Sequence, residues 1–459
     1  MADNPLLETR YASSLSPADA RAYEKVMHCN RCGFCTSFCP TYLATGQESL
    51  SPRGRNQAWR AVAEKRLDPV AAQNAFDTCL LCGICTSVCF AQVPTAALMS
   101  QGRGNVRDAQ GGNFFLRFFL RKILSRPALF EGLLKFLYLF KRCGFSGALN
   151  KTGILRWISP RLAAAEQLVD RVPARFLRDQ LSPAPTDAQV IHFLACGPNC
   201  LSPEIGLATA HLLKVQGVRA GTAETVCCGL PGQSFGDAQA ARILARKNIE
   251  VLEKYPQATI LIDDSSCAAT VKEWPAFFED DPPWRARAEA VSKRAKDLLE
   301  WLDAHPLRGE GARPPVTVTY HDACKARYAQ GLVNEPRRLL ASMPGVAYRE
   351  LPESDQCCGG GGTYQFMQPA ISQAVGQRKA DNVVATESDY VLTSATSCWL
   401  QLRAGLKKAE SATQALHLAE FMDMFQNVIA HTPHPSLSQE EMEKLCIPSP
   451  GADEGDRII

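Results

Sequence analysis

Sixteen of the chain's 19 cysteines fall into patterns that could hold metal. Eight of them form two runs, Cys29-Asn-Arg-Cys32-Gly-Phe-Cys35-Thr-Ser-Phe-Cys39 and Cys79-Leu-Leu-Cys82-Gly-Ile-Cys85-Thr-Ser-Val-Cys89. Each reads C-x2-C-x2-C-x3-C, the spacing that holds a 4Fe-4S cluster. Three thiolates on one tight loop occupy three corners of a cubane, while the fourth is carried off by the next turn and reaches the other cluster. The spacing therefore predicts one cluster on Cys29, Cys32, Cys35 and Cys89, and a second on Cys79, Cys82, Cys85 and Cys39. A zinc knuckle needs four ligands and a redox C-x2-C pair needs two; neither uses eight in two identical groups. Gly33 and Gly83 follow the second Cys of each run, where the backbone must pass close to the cluster. Pro40 closes the first run but Phe90 stands at the matching place in the second, so the chain exit is expected to differ there.

The rest of the composition narrows the class. A chain of 459 residues is long enough for two to four domains. It is 46% hydrophobic and 21% charged, an ordinary folding composition, and its net charge of +3 gives no argument for nucleic acid. Cysteine is about 4% of the chain, below the ~8–10% of disulfide scaffolds. The opening Met-Ala-Asp-Asn-Pro lacks a basic and an apolar leader region, so secretion is not expected. A cytoplasmic location is expected instead, where cysteines serve metals rather than disulfides.

Outward from the cysteines, Ser16-Pro17 reads as a capped helix start, and Ser51-Pro52-Arg53-Gly54-Arg55 leads into a helical run from Gln57 to Lys65. These elements predict an α-helical two-cluster ferredoxin-like domain over residues 1–102. His28, Arg53 and Arg55 read as solvent-facing residues; the alternatives are contact to a cluster or, for the two arginines, to a partner's acidic face. Residues 113–142 alternate Phe and Leu with Arg and Lys, and Pro127 divides them. They predict two short basic amphipathic helices that suit a membrane interface, a neighbouring subunit or a core equally. This segment and its linker are expected over 103–185, ending in Ser182-Pro183-Ala184-Pro185.

The remainder of the chain contains an internal repeat. In the first copy a strand over Val190–Leu194 leads to Cys196; Cys227-Cys228-Gly229 comes next, then a helix containing Arg246-Lys247, then a strand over Thr259–Ile262 leading to Cys267. In the second, Val316–Tyr320 leads to Cys324, and then come Cys357-Cys358-Gly359, a helix with Arg378-Lys379, and Tyr390-Val391-Leu392 leading to Cys398. Strand–helix–strand order predicts a parallel α/β unit in each copy, over 186–312 and 313–430, with cysteines at the carboxyl ends of the strands. Neighbouring cysteines do not pair readily with each other, but they can offer thiolates to a metal from two directions. Cys196, Cys227, Cys228 and Cys267, and Cys324, Cys357, Cys358 and Cys398, are thus candidate ligand sets for an additional cluster; buried small hydrophobes are the alternative. Cys200 is an extra candidate in the first copy only. Gly359 to Gly362 lack the Lys-Ser/Thr of a phosphate loop and predict a tight turn near a cluster or subunit. His321 and Asp322 should point opposite ways at a strand end, which leaves His321 to orient a nearby Cys. Residues 431–459, rich in proline and acidic at the end, read as a flexible tail.

Leu351-Pro-Glu-Ser-Asp-Gln-Cys357-Cys358-Gly359, Tyr320-His-Asp-Ala-Cys324 with Ala329-Gln330-Gly331, and Cys267-Ala-Ala-Thr-Val-Lys272-Glu273 resemble the motifs of CCG-domain iron–sulfur proteins. The pattern is similar to that of glycolate oxidase (glycolate dehydrogenase) iron–sulfur subunits over about residues 20–425. The resemblance implies an electron-transfer subunit of a FAD-dependent 2-hydroxy-acid dehydrogenase. FAD would lie on a partner subunit, and electrons would move toward a quinone, with this chain held in the cytoplasm or peripherally at the membrane's inner face. No catalytic residue of substrate oxidation is expected on the chain itself. Heterodisulfide reductase subunits and the glycerol-3-phosphate dehydrogenase C-type subunit are the alternative relatives. In the heterodisulfide branch the last motif of each repeat is C-x2-C, but Thr270 and Gln401 stand at those places here, which favours the hydroxy-acid branch.

Overall fold

The computed structural model describes residues 15–169, 172–307 and 315–430; the expected tail at 431–459 lies outside the described residues. The N-terminal part is helical. Helix Pro17–Met27 starts at Ser16, whose side chain accepts a hydrogen bond from the Asp19 amide, and buries Ala22, Tyr23 and Val26. Helix Pro52–Ala63 begins at the Ser51 cap with Pro52 in its first turn, earlier than the sequence pattern suggested. That start places Arg55, Asn56, Trp59 and Ala63 on one buried face. Helix Thr95–Ala109 closes the module by burying Leu98, Met99 and Val106. Its Gly102 lies flat on the Phe76 ring, where an added Cβ would come within 2.8 Å. Burial of Trp59 and Phe76 stabilises this small core by about 2–3 kcal/mol each.

Residues 113–142 form helix Phe114–Phe118, one π-helical turn over Phe119–Ile123, and helix Pro127–Arg142, with Pro127 in the first turn of the last. The segment has two faces. Leu120 and Leu124 pack on Val226, Ala240 and Leu244, and Arg121 makes a forked pair with Asp237 at 2.9 Å. Buried Glu131 accepts from Arg178 and Asn199, each at 2.8 Å. The outer face leaves Phe115, Phe136 and, further along, Trp157 largely exposed.

The repeat folds into two four-stranded sheets. The first holds β1 (Val190–His192), β2 (Ala220–Thr222), β3 (Thr259–Ile262) and β4 (Ala295–Asp297), in the order β2-β1-β3-β4. The second holds β5 (Val316–Tyr320), β6 (Val346–Arg349), β7 (Tyr390–Thr393) and β8 (Gln414–His417), in the order β6-β5-β7-β8. Every pairing is parallel. The architecture is therefore α/β: a helical dicluster module, then two repeated parallel units. Val190, Leu261 and Leu298 of the first unit share one core with Val318, Leu392 and Leu418 of the second. At the strand ends the units are stitched directly: Ser265 N–H donates to the Ser394 carbonyl at 2.9 Å, and Thr396 N–H donates to Asp264 Oδ2 at 2.9 Å.

Candidate metal centre

In each N-terminal run two positive-φ residues alternate with the cysteines: Arg31 (φ 56°) and Gly33 (φ 81°), then Leu81 (φ 55°) and Gly83 (φ 88°). This alternation curls the loop so that successive sulfurs converge. Arg31 and Leu81 carry side chains in a region that costs about 1–2 kcal/mol per residue, a cost the sulfur arrangement imposes. Within each group the sulfurs lie near one another. The Cys35 thiol is pushed up to about 11 by burial first, then by Cys29, Cys89 and Cys32 around it. Cys85 is raised by burial first, then by Cys79 and Cys39. Cys39, Cys79, Cys82 and Cys85 line one cavity. Cys85 also feels Cys35, so the two groups are neighbours. They differ in access: Cys32 is exposed, whereas Cys39, Cys79, Cys82 and Cys85 are buried. Phe90, in the place of a proline, meets Phe34 at a tilt with ring centroids 5.5 Å apart and is 90% exposed.

The expectation that Arg55 faces solvent is overturned. It is 1% exposed, because the earlier helix start turns it onto the face of Trp59. Its guanidinium donates to the Ala75 carbonyl at 2.7 Å, to Thr41 at 2.9 Å, to Thr78 at 3.1 Å and toward Cys39 Sγ at 3.7 Å. Arg103, which sequence reasoning missed, donates to the carbonyls of Phe76, Cys79 and Ser234. Asn56 reaches Cys29 Sγ at 3.7 Å. Arg103 also meets Asp77, at 3.9 Å, whereas the buried Arg55 guanidinium faces the Cys39 thiol, a costly placement unless something anionic is present, which suits a negatively charged thiolate cluster. The i, i+4, i+8 spacing of Arg55, Trp59 and Ala63 was the signal that could have found Arg55. Arg53 is half-exposed and paired with Glu48 at 2.8 Å, and His28 is exposed.

Both repeat copies gather their thiols at the carboxyl ends of their strands. In the first copy the thiols of Cys196, Cys227, Cys228 and Cys267 lie close together as a ring, with Cys228 hydrogen-bonded to Cys267 at 3.4 Å. Cys200 stands outside that ring, buried near Asn199, with its carbonyl accepting from Tyr138 at 3.1 Å. In the second copy the sulfurs run in series, Cys324 to Cys357 to Cys358 to Cys398. The residue after each Cys-Cys pair must be glycine: Gly229 and Gly359 sit at φ 103° and 83°, and a Cβ on Gly359 would lie 2.6 Å from the Ser372 carbonyl. Buried Lys379 donates to the Glu353 carbonyl and lies near Cys358 and Cys357. Asp322 turns away to Arg327 and Arg337, at 2.6 and 3.1 Å, and takes no part with His321. The two places where a further Cys is missing are filled quietly. Thr270 bonds the Ser266 carbonyl at 2.8 Å, and Gln401 bonds the Ser372 carbonyl at 2.9 Å.

The second copy also touches the dicluster module. Cys82 is raised by burial first and then by Cys324. Leu80 and Ile84 pack with Cys357 and Tyr364, and Tyr364 donates its hydroxyl to the Thr78 carbonyl at 2.9 Å. Asp264, at the seam between the copies, feels Cys196 and is itself felt by Cys398. Cys82 thus lies near Cys324, and the Asp264 carboxylate lies near both Cys196 and Cys398 at the seam.

Comparison with known proteins agrees with this division. A 4Fe-4S dicluster domain matches residues 25–93, a glycolate oxidase iron–sulfur subunit linker region matches 111–169, and a cysteine-rich domain (CCG) matches 190–272 and again 318–403. The chain is 29% identical over 418 residues to a probable glycolate oxidase iron–sulfur subunit of Bacillus subtilis, covering 87% of this chain and 93% of that one. It is 29% identical over 396 residues to the glycolate oxidase iron–sulfur subunit of Escherichia coli, covering 84% and 92%. It is also 30% identical over 237 residues to lactate utilization protein A 2 of Bacillus mycoides, covering 51% and 98%. Matched along the dicluster module, the linker and both cysteine-rich units, the chain belongs to the CCG-domain iron–sulfur proteins, alongside the glycolate oxidase iron–sulfur subunits.

Proposed function

We propose that this chain is the electron-transfer subunit of a FAD-dependent 2-hydroxy-acid dehydrogenase, acting on glycolate or lactate through a flavoprotein partner and delivering electrons toward a quinone. Cys29, Cys32, Cys35 and Cys89 would hold one 4Fe-4S cluster, and Cys39, Cys79, Cys82 and Cys85 the other. Clusters bound there would supply one-electron transfer. The observation that carries this reading is the packing of Leu80, Cys82 and Ile84 in one cluster with Cys324 and Cys357, which joins the dicluster module to the second cysteine-rich unit. The chain's own residues do the remaining work. Leu80, Ile84 and Tyr364 keep water from that junction. Arg55 and Arg103 offset negative charge at the inner site. The exposed edge at Cys32, with Phe34 and Phe90, offers a place for a redox partner to approach.

No helix among the described residues is long and apolar enough to cross a membrane. The outer face of helix Pro127–Arg142, with Leu133, Phe136, Leu137 and Phe140 exposed, suits peripheral attachment at the cytoplasmic membrane surface. Co-expression of the chain with a candidate FAD-binding subunit tests the reading. The complex should bleach the iron–sulfur absorbance when glycolate or lactate is added, and the isolated chain should not. Bleaching of the isolated chain by either acid would overturn the proposal.

A further inference from the structure

The two cysteine-rich units are not equivalent at their centres. β1 and β5 end in the same register: the amide of Phe193 donates to the Leu261 carbonyl and that of His321 to the Leu392 carbonyl, both at 2.9 Å. Each residue stands three places before the first cysteine of its copy. Phe193 is a core residue packed edge-on against Trp274. His321 occupies the same place with a polar ring that is 0% exposed, and neither of its nitrogens has a hydrogen-bond partner. A buried imidazole normally donates from one nitrogen and accepts at the other. Here a ring nitrogen instead lies within 4.8 Å of the sulfurs of Cys358 and Cys398, and those two sulfurs lie within the same distance of each other. Cys357 bonds to Cys358 and is the next thiol in reach.

We propose that His321 is a nitrogen ligand, with Cys358 and Cys398, to a thiophilic metal ion, so that the second unit forms a mixed imidazole–thiolate centre while the first, with Phe193 in that place, is all-thiolate. This rests on the reading that the second cysteine set binds metal. The ion is the iron of a cluster or zinc, since both accept this donor set. If it is iron, the nitrogen raises the centre's potential relative to an all-thiolate site, as replacement of Cys by His does in two-iron clusters. The second unit would then be the electron-accepting end of the pair.

The test uses the full chain, purified anaerobically, as the parent protein and as His321→Phe, His321→Cys and Cys358→Ser. His321→Phe installs the residue the first copy already carries there. An unchanged reduced-cluster spectrum from the N-terminal module reports that each variant folds. Metal content and X-ray absorption at the iron and zinc edges are read with pulsed EPR on protein labelled with ¹⁵N-histidine. The expected result is a nitrogen scatterer or histidine coupling in the parent, at whichever edge identifies the ion. That signal should be lost in His321→Phe, with at least about a tenfold weaker hold on the ion under chelator challenge. In His321→Cys the ion should stay and the nitrogen signal should vanish. Unchanged spectra and metal retention in His321→Phe, with loss in Cys358→Ser, would overturn the histidine ligand and leave the metal site standing. No change in either variant would overturn both.

Discussion

Replacing Arg55 should change the inner cluster more than it changes the fold. Its guanidinium lies 3.7 Å from Cys39 Sγ and is buried, so solvent screens it little. At an effective dielectric near 20, a unit charge at that distance interacts with a unit charge on the sulfur by about 4–5 kcal/mol. An added electron is spread over the cubane, whose far side is roughly twice as distant, which reduces the interaction to about 2–3.5 kcal/mol. At ~59 mV per 1.36 kcal/mol for one electron, Arg55→Gln should lower the inner potential by about 100–150 mV. Arg55→Lys keeps the charge and should shift it by less than about half as much. The assay is an EPR-monitored redox titration of the anaerobic full chain. A cluster held, as proposed, by Cys29, Cys32, Cys35 and Cys89 should move far less and serves as an internal reference. A shift of the inner potential smaller than about 30 mV, an upward shift, or an equal shift of both clusters would rule out this electrostatic role for Arg55.

Cysteine exchange between the runs has a spectroscopic signature: Cys39→Ser should alter the signal of the cluster on Cys79, Cys82 and Cys85 and spare the other, while Cys89→Ser should do the reverse. The opposite pairing would show that each run fills its own cubane. Tyr364→Phe removes the 2.9 Å bond to the Thr78 carbonyl and should cost about 1–2 kcal/mol, read as a lower melting temperature with both N-terminal signals intact. Burial pushes the His417 imidazole down to about 4, while the unfolded chain protonates near 6.5. The unfolded state therefore binds more protons in that window, and this group's contribution is full above about pH 6.5 and lost as pH falls toward 4. Asp264 runs the other way: burial raises it to about 6, so its contribution is full below about pH 4 and lost as pH rises through 6. Comparing the parent with His417→Asn cancels the Asp264 term. The parent should lose about 2 kcal/mol more than the variant between pH 7 and pH 5 in denaturant titrations, and parallel curves would contradict this. Phe136→Glu combined with Phe140→Glu breaks the edge-on contact between the two rings and should cost no more than about 2 kcal/mol, but should abolish co-sedimentation with anionic vesicles. Retained binding would argue against the membrane-facing role.

The cysteine spacing made the dicluster module legible because ligand geometry allows few other arrangements. The matched offsets of Cys196 and Cys324, and of Cys227 and Cys357, made the two parallel units legible for a similar reason: strand, Cys and glycine turn recur as one structural unit. Less visible were the residues whose importance depends on tertiary burial. Arg55 looked like a surface charge until its helix start at Pro52 fixed which way it faced. Arg103 comes from a helix that sequence spacing alone does not bring against Cys79. The difference between Phe193 and His321 is a single residue type in the sequence, but its meaning needed the shared strand register and the unpartnered ring. The segment at 113–142 read as equally fit for a core, a subunit or a membrane because it has both an inner face, at Leu120 and Leu124, and an exposed one at Phe136.

Iron, sulfide and zinc counts with EPR on the anaerobically purified full chain, before and after dithionite, test the two-cluster relay most directly. At least about eight iron and eight sulfide per chain are expected, with two magnetically interacting reduced cubanes from the N-terminal cysteines. Zinc in place of iron at those cysteines, or a single cubane, would contradict the relay.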